Sequence, residues 1–123
     1  MKDDYTRAAT VVRVIDGDTV IVDLDLGFYI TVRMSCRLAG INARELHSPG
    51  GPEAAAELAN ILAVGDRVTI SSIRADKYAG RFDGVIIDED GANINQWMAS
   101  TGYAALWDGK GTAPVPPWPR VTP

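Results

Sequence analysis

One cysteine, one histidine and two phenylalanines are all that the 123 residues contain of those types. A lone Cys36 forms no internal disulfide, and with His47 as its only companion it builds no Cys/His zinc site, so any metal here is held by oxygen. Missing too is a run of about 18 to 20 apolar residues, the length a membrane span needs. The start, Met1-Lys2-Asp3-Asp4-Tyr5, has no apolar stretch behind its lysine to act as a signal. The expectation is a cytoplasmic protein with no membrane partner. Positive charge is also scarce: twelve Lys and Arg face sixteen Asp and Glu, a net charge of −4. That balance argues against duplex-DNA binding driven by overall charge and requires any nucleic-acid contact to be a local basic site.

What is present suits one soluble domain. The chain is 46% hydrophobic and 23% charged, with 12 Gly and 7 Pro, the composition of an ordinary globular protein. Residues 11–15 and 20–24 are rich in β-branched side chains and flank Asp16-Gly17-Asp18, which predicts a hairpin. A period-2 pattern follows. Ile30, Val32, Met34, Cys36 and Leu38 define one face and are expected to be buried, while Thr31, Arg33, Ser35 and Arg37 define the other. Pro52 suits a first helical position, Ala55, Leu58, Ala59 and Leu62 make an apolar stripe, and Gly65 is placed to close that helix. Residues 67–73 and 84–87 read as further strands and 94–101 as a second helix.

Five strands with a helix after the third and another after the fifth predict a β-rich α+β fold, a five-stranded OB-type barrel carrying two short helices. The expected layout is an N-terminal arm over 1–8, the domain over 9–108 and a Gly/Pro-rich tail over 109–123. That tail is a candidate ligand for a protein partner that reads extended proline-rich chain.

Four segments occur in order: Val14-Ile15-Asp16-Gly17-Asp18-Thr19, Arg37-Leu38-Ala39-Gly40-Ile41-Asn42-Ala43-Arg44-Glu45, Asp76-Lys77-Tyr78-Ala79-Gly80-Arg81, and Asn95-Gln96-Trp97-Met98-Ala99-Ser100-Thr101-Gly102-Tyr103. Together, over roughly residues 10 to 107, they resemble the thermonuclease (staphylococcal nuclease-like) family, in particular its compact phage and actinobacterial members. The resemblance implies an OB-type barrel and a calcium-dependent phosphodiesterase that cuts single-stranded DNA and also RNA, with little sequence preference. Magnesium or manganese would use the same oxygen chemistry. Carried over by motif, Asp18, the Asn42 side chain and the Ala43 carbonyl match the metal ligands, with Asp16 behind Asp18. Arg37 and Arg81 match the phosphate-binding arginines, and Glu45 matches the glutamate that orients or deprotonates water. Lys77 and Tyr78 match residues beside the bound nucleotide.

The chemistry is coherent with those residue types. Phosphodiester hydrolysis places negative charge on equatorial oxygens, which a hard cation and guanidinium forks stabilise. Elsewhere the plainer reading holds. Cys36 falls on the apolar face and reads as a buried thiol, His47 as a solvated loop residue, and Trp97 and Tyr103 as helix packing. Trp107 alone among these aromatics is kept as a candidate binding residue. Four departures from the family pattern stand out: Asn42 in place of Asp, Arg44 in place of Pro, the additional Ala79, and a Pro-rich tail where longer members have a helix. The alternative reading is a catalytically inactive OB-type module that binds single-stranded nucleic acid.

Overall fold

The β-branched runs on either side of Asp16-Gly17-Asp18 form β1 (Thr6–Asp16) and β2 (Thr19–Asp25), the predicted hairpin. In the computed structural model, which describes residues 5–75, 80–108 and 110, they are followed by β3 (Thr31–Leu38), β4 (Ile41–Ala43), α1 (Gly51–Ile61), β5 (Arg67–Ala75), β6 (Arg81–Ile87), α2 (Ile94–Ser100) and β7 (Ala104–Leu106). Strands β1-β2-β3-β6-β5 close into a barrel. All its pairs are antiparallel except β3 with β6, which runs parallel and so needs a long crossover. That crossover contains β4, α1 and β5. The result is the expected β-rich α+β architecture, an OB-type barrel with two helices.

One cluster of buried side chains joins the wall to the helices, with Val11, Val20, Val22, Cys36, Leu38, Ile70 and Ile86 from the strands, Leu58 from α1, and Ile94 and Met98 from α2. Asn93 caps α2 by accepting the Gln96 N–H at 3.0 Å. The buried Asn95 then pins that helix to the barrel. Its Nδ2 donates to Ala39 O and Gly84 O at 2.9 and 3.0 Å, and its Oδ1 accepts from Ile86 N at 3.1 Å.

Several expectations are corrected. β1 begins at Thr6, where it pairs with Ser71, so residues 6–8 of the expected arm belong to the barrel. Ile30 and Val32 are exposed, not buried. β6 pairs only with residues 35–38 of β3, so residues 31–34 of β3 have β2 as their one neighbour among the described strands, while β1 stays paired with β2 as far as Leu24. Buried positions on α1 are Gly51, Ala54 and Leu58, continued by Leu62, whereas Ala59 is exposed. The helix also ends at Ile61, with Leu62 as its C-cap, rather than at Gly65, whose N–H instead donates to Val11 O at 2.8 Å in the turn before β5. β6 starts three residues before the expected strand, and β4 with β7 form an additional two-stranded sheet. Lys77, Tyr78 and Ala79, with Gly109 and 111–123 of the tail, lie outside the described residues. Among those described, no helix is long and apolar enough to cross a membrane.

Two glycines set the packing of α1. A Cβ on Gly17 would stand 2.7 Å from Ala54 Cβ and 2.9 Å from Ala43 Cβ, and one on Gly51 would overlap the Glu45 carbonyl. The β1–β2 turn, β4 and the start of α1 therefore meet with nothing larger than alanine methyls between them. Replacing Gly17 by Ala is expected to cost about 1–3 kcal/mol through overpacking. Thermal unfolding should show that loss, and a Gly17→Ala, Ala54→Gly double variant should recover part of it.

Candidate active site

Strand register lines up four polar residues across four neighbouring strands. Asp16 pairs with Thr19, Thr19 with Arg37, and Arg37 with Asp83. Because Cys36 and Leu38 point into the core, alternation turns Arg37 to the outer face of the wall. β4 and β7 cover it there. Arg37 and Asp18 side chains are only 14% and 10% exposed, with Arg37 Nη2 3.6 Å from Asp18 Oδ2. The same nitrogen donates to Ile41 O at 3.1 Å and to Asn42 Oδ1 at 3.4 Å. Trp107 lies under the guanidinium, its ring centroid 5.5 Å from Arg37 Cζ, within cation–π range. The Trp107 N–H holds Gly40 O at 2.8 Å and its Nε1 donates to Lys110 O at 3.0 Å.

Asp18 gathers the turn and β4. Its Oδ1 accepts from Thr19 Oγ1 at 3.0 Å, and its Oδ2 accepts from the Ala43 N–H at 3.0 Å. The Asp18 N–H in turn donates to Asp16 Oδ1 at 3.1 Å, the local bond that makes Asp-Gly-Asp a turn former. Asp16 has its pKa raised to about 6, first by burial and then by the hydrogen bond and negative charge of Asp18 beside it. The two carboxylates are thus crowded together on the protein's own terms.

Glu45 is exposed, two residues beyond Ala43, and so no more than about 7 Å of chain from it. Its backbone is fixed: the carbonyl accepts from Ser48 N at 3.0 Å and Ser48 Oγ at 2.7 Å and abuts Gly51. Arg44 Nη1 donates to Pro49 O at 3.1 Å across the same loop. Arg81 opens β6 opposite Ser35, two residues from Arg37 along β3. Strand geometry sets the two arginine Cα atoms roughly 8 Å apart. The Arg81 side chain lines a cavity at the end of the barrel with Arg7, Leu24 and Met34.

The structure therefore brings Asp16, Asp18, Arg37, Asn42 and Ala43 into one cluster, sets Glu45 on the adjoining loop, and places Arg81 on the neighbouring strand, where it also borders a second cavity. Sequence reasoning missed Asp83, which is buried beside Arg37 in register. An acidic residue flanked by Phe82 and Gly84-Val85 in a strand was the available signal. Cys36, as expected, is a core thiol, its pKa pushed up to about 12 by burial and then by the charge of Asp83. His47 is exposed, and Trp97 sits half out of the surface with its Nε1 donating to Glu57 at 2.8 Å.

An OB-type barrel with an acid–arginine–tryptophan cluster on its outer wall is the class of protein these observations define. No family model matches the chain. Two curated relatives, each described as an uncharacterized endonuclease and coming from Escherichia coli O157:H7 and Escherichia coli, are 35% identical to it over 107 residues, 87% of this chain. The chain spans 65% of the length of those relatives.

The raised pKa of Asp16 fixes a sign. A carboxyl that binds its proton more tightly folded than unfolded adds stability below about pH 4 and loses that contribution as pH rises through about 6. Asp16→Asn keeps the acceptor for the Asp18 N–H and removes the charge. In chelator, it should melt higher than the native chain at pH 7 to 8 and close to it near pH 4, as read by thermal unfolding across pH.

Proposed function

We propose that this chain is a metal-dependent nuclease of the thermonuclease type, hydrolysing phosphodiester bonds of single-stranded DNA and also RNA, with calcium as its ion. The observation that carries the reading is the Arg37 guanidinium held between Asp18, at 3.6 Å, and Trp107, beside the crowded Asp16–Asp18 pair. The endonuclease description of the two relatives and the order of the four motifs support it.

The donor set fits a hard cation. Two crowded carboxylates, one of them protonating near pH 6, gain from neutralisation, and the Asn42 amide and Ala43 carbonyl are oxygen donors of the kind calcium, magnesium or manganese takes. Among the described residues, no group of three or more His, Cys, Asp and Glu side chains could hold a metal, so water and substrate oxygens would complete the shell. When bound, the ion supplies positive charge to the phosphate as its own negative charge grows.

The chain's own residues do the rest. Arg37 offers a guanidinium whose orientation is already set by Ile41, Asn42 and Trp107, so little ordering is needed when a phosphate arrives. Arg81 adds a second donor from the neighbouring strand. Glu45 takes a proton from water as its oxygen bonds to phosphorus and the ester P–O bond breaks. Lys77 and Tyr78 contact phosphate and base.

The decisive experiment incubates purified protein with single-stranded DNA in calcium or in chelator. Cleavage in calcium alone is expected, and binding without cleavage would mean an inactive binding module. Arg37→Lys should lower turnover about a hundredfold, the scale of one lost oriented donor. Unchanged turnover would remove Arg37 from the reaction. Asn42→Asp should tighten calcium about tenfold in calorimetric titration, because affinity rises with the number of charged ligands. Equal affinities would show that Asn42 is no ligand.

A further inference from the structure

The β2–β3 hairpin ends in a turn that the proposed chemistry does not use. Ile30 N donates to Gly27 O at 2.9 Å, and the two central residues, Phe28 and Tyr29, have φ of +55° and +62°. Positive φ at both positions is the type I′ pattern, which Asn and Gly favour and bulky side chains resist. Phe28 is nonetheless 94% exposed and Tyr29 fully so. Leu26, Ile30 and Val32 around them are also open to solvent. The turn thus combines backbone strain with two aromatic rings that the described residues leave unburied.

Immediately below the turn is a hole. Leu24, Leu26, Met34, Ile70 and Phe82, with Arg7 and Arg81, line a mostly apolar cavity of about 280 Å³ at the barrel's end. A cavity of about 150 Å³ already takes a benzene ring, so this one admits an aromatic side chain. Knob and hole lie side by side, with Leu26 bordering both. A two-fold axis can then seat the tip of each copy in the hole of the other.

The extent of the surface agrees. At roughly 200 Å² for each aromatic side chain, Phe28 and Tyr29 alone present about 400 Å². Leu26, Ile30, Val32 and the exposed Tyr5 bring the patch to the scale of the roughly 800 Å² per partner of a standard interface. The charges of tip and hole are of opposite sign. The hairpin carries Asp23 and Asp25, its Arg33 is tied to Asp23 at 2.8 and 3.1 Å, and Asp25 accepts the Gly27 N–H. Arg7 and Arg81 line the hole, so the acidic hairpin of a second copy meets a basic wall there.

We propose that the Phe28-Tyr29 tip and the cavity beneath it form a two-fold interface between copies of this chain. The hole shares Arg81 with the proposed nuclease site, and the test reads association rather than cleavage.

Sedimentation from about 1 to 100 μM, on the full chain, tests it. The native chain should pass from monomer to dimer. Phe28→Asn with Tyr29→Gly installs the residues the turn prefers, so the variant should stay monomeric at 100 μM while melting at least as high as the native chain at the lowest concentration. Leu26→Arg, which leaves the tip intact and charges the hole, should also be monomeric. A native chain that remains monomeric at 100 μM overturns the proposal, as do tip and hole variants that both still dimerise. If the native chain is monomeric and the tip variant loses binding to an oligodeoxythymidylate or to phosphatidylserine vesicles, the surface belongs to that ligand instead.

Discussion

The buried carboxylate of Asp18 decides where three separate pieces of chain lie. It accepts the Ala43 N–H and stands beside Arg37, while the Asp18 carbonyl accepts the Leu38 N–H at 2.7 Å. Without it, a buried N–H would lose its acceptor and a buried guanidinium its counter-charge, each a costly state in a low dielectric. Everything further out follows from that anchor. β4 is set by Asp18, β7 by β4, and Trp107 by the Gly40 carbonyl that continues their pairing.

Around this anchor the chain approaches itself with almost no side chains. Gly17, Ala43, Ala54 and Gly51 form the contacts between the first turn, β4 and α1. Loops bearing polar groups are therefore positioned by backbone contact on a rigid frame, and the long side chains of the site remain directed outward. Small residues at these positions suit precise placement better than a large apolar filler would, because they leave few rotamers to choose among.

The barrel was legible where local pattern and tertiary role coincide. The hairpin at Asp16-Gly17-Asp18, the inward Cys36 and Leu38, the outward Arg37 and the helix at Ile94 all follow from turn chemistry and alternation. Alternation says nothing of how far a neighbouring strand extends, and so Ile30 and Val32 were placed in a core that β6 is too short to provide. The phase of α1 was degenerate, since Ala54, Ala55, Ala56 and Ala59 are equally small and apolar. β4 and β7 have three residues each, too few for a period to show. Their pairing is what carries Trp107 to Arg37, so residue types and spacing pointed to the members of the site, and the tryptophan supporting its arginine came from contacts distant in sequence.

That supporting contact has a consequence for the order in which the protein is made. The last barrel strand ends at Ile87, whereas β7 spans Ala104–Leu106 and Trp107 follows it. Synthesis runs from the N terminus and domains gain structure as their chain emerges. All five strands of the wall are made before β7 and the ring beneath Arg37. Arg37 is thus on the chain long before Trp107, and the ring that supports it lies some twenty residues beyond the last barrel strand in the order of synthesis.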